Sequence, residues 1–343
     1  MRCVHLLDGR WRRLSVLSVA AGALATVASM AAPSFAAVVS FGSGVGNTFN
    51  MEFVTIGNPN NDADTTVAPN PAGRVTYTYD IGKFEVSRDM ITKFNASQSL
   101  QISLEDMTSF DGNGANKPAT GISWNEAARF VNWLNTSTGG VAAYNFTTSG
   151  VNDNIAVWTS TDTADYDSSN PYRSKRAKYF LPSYNEWYKA AYYNPTNSTY
   201  YDYANGSDTA PGAVASGTTA GTAVYDGQSG PADVNLAGGL SPYGVMGLGG
   251  NVFEWEESSG DLANSSGSSS RGIRGGFWIG SSSFLSSSAR YDVFLPSVED
   301  VFVGFRVASL SSSAPPAVPE PSMMVIGTLF GLGGLMAKRR MKK

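Results

Sequence analysis

The chain has a single cysteine, Cys3, and a single histidine, His5, and both fall within the first 36 of its 343 residues. That opening stretch carries arginines at 2, 10, 12 and 13, an apolar run from Leu14, and the small-residue ending Ser34-Phe35-Ala36. These are the three parts of a secretory signal peptide, with cleavage expected after Ala36. The mature chain then has no thiol and cannot form the disulfides that its destination would permit. Its fold must rest on core packing, which a chain of this length can supply, and on any ions it binds. Composition narrows the choice further. Hydrophobic residues at 42% and aromatics at 12% describe a globular chain. The 37 glycines and the long serine runs call for many loops and little regular structure.

The other end carries a second address. Val318-Pro319-Glu320-Pro321 precedes an apolar stretch from Met323 to Ala337 and a basic terminus, Lys338-Arg339-Arg340-Met341-Lys342-Lys343. The stretch is shorter than the ~20 residues of a comfortable membrane span. Its basic end is expected to stay cytoplasmic. On these residues the tail 319–343 resembles the PEP-CTERM sorting signal of Gram-negative bacteria. The resemblance implies that an exosortase-type protease reads Pro319, Glu320 and Pro321, and that the protein is anchored transiently before reaching the cell surface or the extracellular matrix. The body at 37–318 retains 15 basic and 26 acidic residues, a net charge near −11. Such a body lacks the clustered Lys and Arg that nucleic acid requires.

Residues 309–318, SLSSSAPPAV, read as a Ser/Pro linker, and 38–308 as one domain. Two capping boxes mark helix starts, Ser123-Trp124-Asn125-Glu126 and Ser183-Tyr184-Asn185-Glu186. In the first helix Trp124, Ala127, Ala128, Val131 and Leu134 share one face. The second should end before Pro195. Ser87 opens a third, over RDMITKFN. Strands are expected at 51–56, 75–86 and 301–308, and turn-rich segments at 57–73, 145–175, 196–245 and 258–272.

Six segments stand together in this order: IGKFEVSRDMITKFN at 81–95, ATGISWNEAARFVNWLN at 119–135, YFLPSYNEWYKAAYYN at 179–194, SPYGVMGLGGNVFEW at 241–255, RGGFW at 274–278 and VGFRVA at 303–308. The series resembles the formylglycine-generating enzyme (sulfatase-modifying factor) domain family. The resemblance implies an irregular, loop-rich α+β fold related to C-type lectins, with few capped helices and short strands. It also implies copper-dependent oxidation of a sulfatase cysteine by two thiols shortly after the RGG segment. Gly280 and Leu285 stand in those two places. With no thiol in the mature chain the soft ligands of copper(I) are missing, so no copper is expected. The histidine ligands of the family's iron-dependent branch are missing as well.

What remains is a set of alternatives. The resemblance places a calcium site in GGNVFEW, with carbonyls of Gly250 and Val252 and the carboxylate of Glu254, oxygen ligands that calcium prefers. The family's Asn or Asp four residues before Asn251 is here Gly247. The other reading of the segment is a turn whose Phe253 and Trp255 plug the core. The acidic loops 62–64 and 162–167 are either further calcium ligands or Asx turns. Arg274, Arg290 and Arg306 are expected as buried partners of carboxylates. The tyrosines 188, 192, 193, 200, 201 and 203 either stack on sugars or pack the core. The leading expectation is a surface-sorted binding or structural protein with a polysaccharide or cell-surface ligand. The alternatives are hydrolysis by Glu254, Glu256 and Glu257 in the same pocket, and a non-catalytic accessory role in sulfatase maturation.

Overall fold

Each of the three α-helices among the described residues starts at the serine that the sequence singles out. Ser123 accepts a hydrogen bond from Glu126 N–H, and Glu126 accepts one from Ser123 N–H at 2.9 Å. Ser183 and Glu186 repeat the reciprocal cap at 2.7 Å, whereas Ser87 caps alone. The resulting helices are α1 (Arg88–Ser97), α2 (Trp124–Ser137) and α3 (Tyr184–Tyr192). The last stops where Asn194-Pro195 forbids another turn. The expected face of α2 is fully buried, and Phe130 and Trp133 beside it are buried too.

The structure, a computed structural model, describes residues 37–66 and 71–311. The signal segment with Ala36, the motif Pro319-Glu320-Pro321 and the apolar tail lie outside them. Among the described residues no helix is long and apolar enough to cross a membrane.

Two sheets hold the helices. The first joins β1 (Ala37–Gly42), β2 (Thr48–Ile56), β3 (Tyr79–Gly82), β4 (Tyr179–Phe180) and β13 (Ala308–Leu310) in the order β1-β2-β3-β13-β4. The second joins β9 (Phe253–Ser259), β10 (Arg271–Arg274), β11 (Tyr291–Phe294) and β12 (Val303–Gly304) in the order β11-β10-β9-β12, with β12 parallel to β9. Two ribbons, β5 (Tyr193–Asn194) with β6 (Thr199–Tyr200) and β7 (Gly212–Ala213) with β8 (Thr222–Ala223), trim the loops. The arrangement is the loop-rich α+β fold expected. One core gathers Phe94, Phe130 and Trp133 from α1 and α2 against Phe49 of β2. A second gathers Trp187, Tyr188 and Tyr192 from α3 against Tyr79 and Ile81 of β3.

Several boundaries differ from expectation. The strand at 75–86 shrinks to β3. The one at 301–308 splits into β12 and β13, because Phe305–Val307 cross from one sheet to the other and turn Arg306 inward. The first sheet runs on to Leu310, paired with Tyr79, so it takes in the first two residues read as linker. β1 and the strands β9–β11 have no counterpart in the sequence reading.

Candidate functional site

Strand β9, FEWEESS, is buried on both faces. Three glutamates in such a strand would each leave an unpaired charge in the interior, a heavy penalty, so each must find partners. Glu254 accepts from Arg306 Nε at 2.6 Å and from Trp187 Nε1 at 2.7 Å, and its other oxygen accepts from Arg306 as well. Arg306 is satisfied in turn by donating to the carbonyls of Gly82 and Met246. Glu256 accepts from Arg274 Nε and Arg290 Nε, both at 2.7 Å. Glu257 accepts from Tyr144 Oη at 2.8 Å and from Asn170, with Arg173 Nε 3.5 Å away, and burial raises its pKa. Arg274 and Arg306 are found as the buried carboxylate partners expected, and Arg290 pairs with Glu256 from a partly exposed position. These carboxylates are locked into separate ion pairs, and no two of them face each other across a cleft.

The RGG segment leads out of β10. Gly275 and Gly276 both take positive φ, and a Cβ on Gly276 would lie 2.5 Å from a Leu285 methyl. Only glycine lets the chain turn this tightly against Leu285. Leu285 is 1% exposed and packs with Ala223 and Tyr225. The cavity beside it measures about 10 Å³, room for one water molecule at most. Gly280 lies against the rings of Phe277 and Phe284. The serines between and after them bond to one another, Ser281 to Ser283 and Ser286 to Ser288. The two positions at which the resemblance places thiols are therefore filled by ring and methyl groups.

The GGNVFEW segment is a turn entering a strand. Gly250 and Asn251 have φ of 91° and 65°. The Asn251 amide side chain accepts from Ala232 N–H and donates to Glu85 at 2.9 Å. Phe253 and Trp255 enter the core. At Gly247 a Cβ would fall 2.5 Å from the Glu85 carboxylate, which occupies the space of the family's missing side chain. Burial pushes Glu85 up to about 8, and one of its oxygens has no partner among the described residues. The set Gly250, Val252 and Glu254 does not fit a calcium ion, because an arginine already fills the coordination space of its only charged ligand. Among the described residues no group of three or more acidic, His or Cys side chains is placed to hold a metal. The acidic loops form local caps instead: Asp162 accepts from Thr159, Asp167 from Ser169, and Asp64 from Thr66 and Tyr188. Tyr188, Tyr192 and Tyr193 belong to the core.

Sequence reasoning missed Arg173, which lies 3.7 Å over the Phe180 ring between Glu186 and Glu257. It missed Glu85 as well. Arg173 lies in a polar, irregular segment and Glu85 within the strand expected at 75–86, and only the fold brings their partners to them.

The described residues, with two main sheets and three capped α-helices joined by long loops, have the α+β fold of the formylglycine-generating class. The family model of the sulfatase-modifying factor enzyme 1-like domain matches residues 43–310, and the chain belongs to that family. Among solved structures it is similar to Treponema denticola variable protein 1, with 20% identity, a TM-score of 0.55, and coverage of 80% of this chain and 99% of that one. The structure titled CarF is similar at 19% identity and TM-score 0.54, covering 76% of this chain and 98% of that one. These likenesses show a shared fold. No curated protein matches the chain.

Proposed function

We propose that this is an exported, surface-sorted binding protein that uses the sulfatase-modifying factor fold without the family's oxidative chemistry. The observation that carries the reading is Leu285, sealed in an apolar cluster where the oxidase would present a thiol. A second support is that Glu254 and Glu256 are neutralised by Arg306 and by Arg274 with Arg290, while Glu257 is held by Tyr144 and Asn170 and shares Arg173 with Glu186, which disfavours hydrolysis by that trio. Turnover of a sulfatase-type cysteine peptide by the purified protein would overturn it.

Export rests on the signal segment ending at Ala36 and on the tail motif Pro319-Glu320-Pro321. The surface form should lack both termini, and intact-mass spectrometry of the surface fraction checks this. A surface protein that still carries Lys343 would contradict exosortase-type sorting.

A further inference from the structure

We propose that the cleft beside α2 binds a neutral saccharide, an inference that rests on the reading of this protein as a binding module. The cleft holds about 350 Å³ and opens between α2, the end of α1 and the loops at 142–146 and 158. Aromatic side chains line it. Trp158 is partly exposed, and its indole N–H donates to Ala143 O at 3.0 Å, which fixes the ring. Phe146 is held by the Arg129 guanidinium, 3.8 Å from its ring centroid. Trp133 is 8% exposed, and its indole N–H makes no hydrogen bond to the described residues and remains open to solvent. The side-chain amide of Asn145, on the same lining, also has no partner among the described residues.

These features define the ligand. Aromatic faces carry negative charge density and attract the weakly positive C–H edges of a pyranose ring. The solvent-open indole N–H of Trp133 and the amide of Asn145 can bond to hydroxyl groups at the same place. A purely apolar ligand would bury both without partners, at a real cost. A peptide that adds as a strand needs an open edge, and here the backbone of Asn145 is already bridged to Ala156. Charge narrows the class further. The only charged side chain on the lining is Arg129, which already stacks on Phe146 and donates to Val151 O at 2.9 Å. No carboxylate is present to hold a basic sugar, and a body near −11 repels polyanions.

The test is calorimetric titration of the purified protein with cellopentaose, laminaripentaose and maltopentaose, and with penta-galacturonate as the acidic comparison. Saturable binding of at least one neutral oligosaccharide is expected, weakened about tenfold by Trp158→Ala. Trp133→Phe, which keeps a ring and removes the N–H, should weaken it severalfold in a protein that still folds, with some loss of melting temperature from the smaller core side chain. Asn145→Ala changes only the rim, and serves if Trp158→Ala does not fold. The proposal is overturned if no neutral oligosaccharide binds. It is overturned equally if the affinity is the same in Trp133→Phe and Asn145→Ala, or if galacturonate binds best. Peptide oxidation by the same preparation would instead overturn the non-oxidising reading, whatever the titration shows.

Discussion

Glu254→Gln should lower the stability of the folded protein by about 3–5 kcal/mol, the usual cost of leaving one partner of a buried ion pair alone. Glu254 is 0% exposed, and both of its oxygens take donors from Arg306. The glutamine keeps the shape but removes the charge and turns one end into a donor facing a guanidinium. For a domain of this size the melting temperature should fall on the order of 10 °C. Arg306→Met should cost a similar amount, since it strands the carboxylate and the carbonyls of Gly82 and Met246 together. Millimolar calcium should leave the wild-type melting temperature where it is. A cation site would behave in the opposite way, with a calcium-dependent rise that Glu254→Gln abolishes and with little change in the ion-free protein. Differential scanning calorimetry with and without calcium separates the two outcomes.

Gly247→Asp, which restores the residue type that the family's calcium site uses, should destabilise the protein and gain no calcium response. Gly247 has φ 77°, a backbone conformation that costs a side chain about 1–3 kcal/mol. The new Cβ would also meet the Glu85 carboxylate at 2.5 Å. Burial already holds Glu85 near pKa 8, so a second carboxylate beside it adds repulsion where charge is poorly tolerated. The total loss should reach about 3 kcal/mol or more. Combining Gly247→Asp with Glu85→Ala should recover part of it, leaving the backbone strain. A single variant that melts higher than wild type in calcium would show that the site is latent and needs only its ligand.

Local chemistry explains which parts of this fold were legible in the sequence. The three helix starts could be read because a serine cap acts within four residues and leaves its signature there. Strand β9 could not, because FEWEESS is buried on both faces and breaks the alternation that marks a half-buried strand. Its glutamates looked like ligands or catalysts because their partners lie far along the chain, Arg306 beyond three further strands and Trp187 in α3. The inward arginines were readable from their Gly- and aromatic-rich surroundings, but their pairing was not. Leu285 carried its signal in identity alone: a leucine within a serine run marks an inward position, and the fold supplies the cluster that seals it.

The most direct measurement is incubation of a sulfatase-type cysteine peptide with the purified protein under oxygen and a reductant, with copper(I) supplied and the peptide mass followed. A chain with no cysteine after Cys3, and with Leu285 where the resemblance places a thiol, should leave the peptide as cysteine with copper and without it. Copper-dependent conversion to formylglycine that scales with protein concentration and stops when the metal is chelated would contradict that expectation outright.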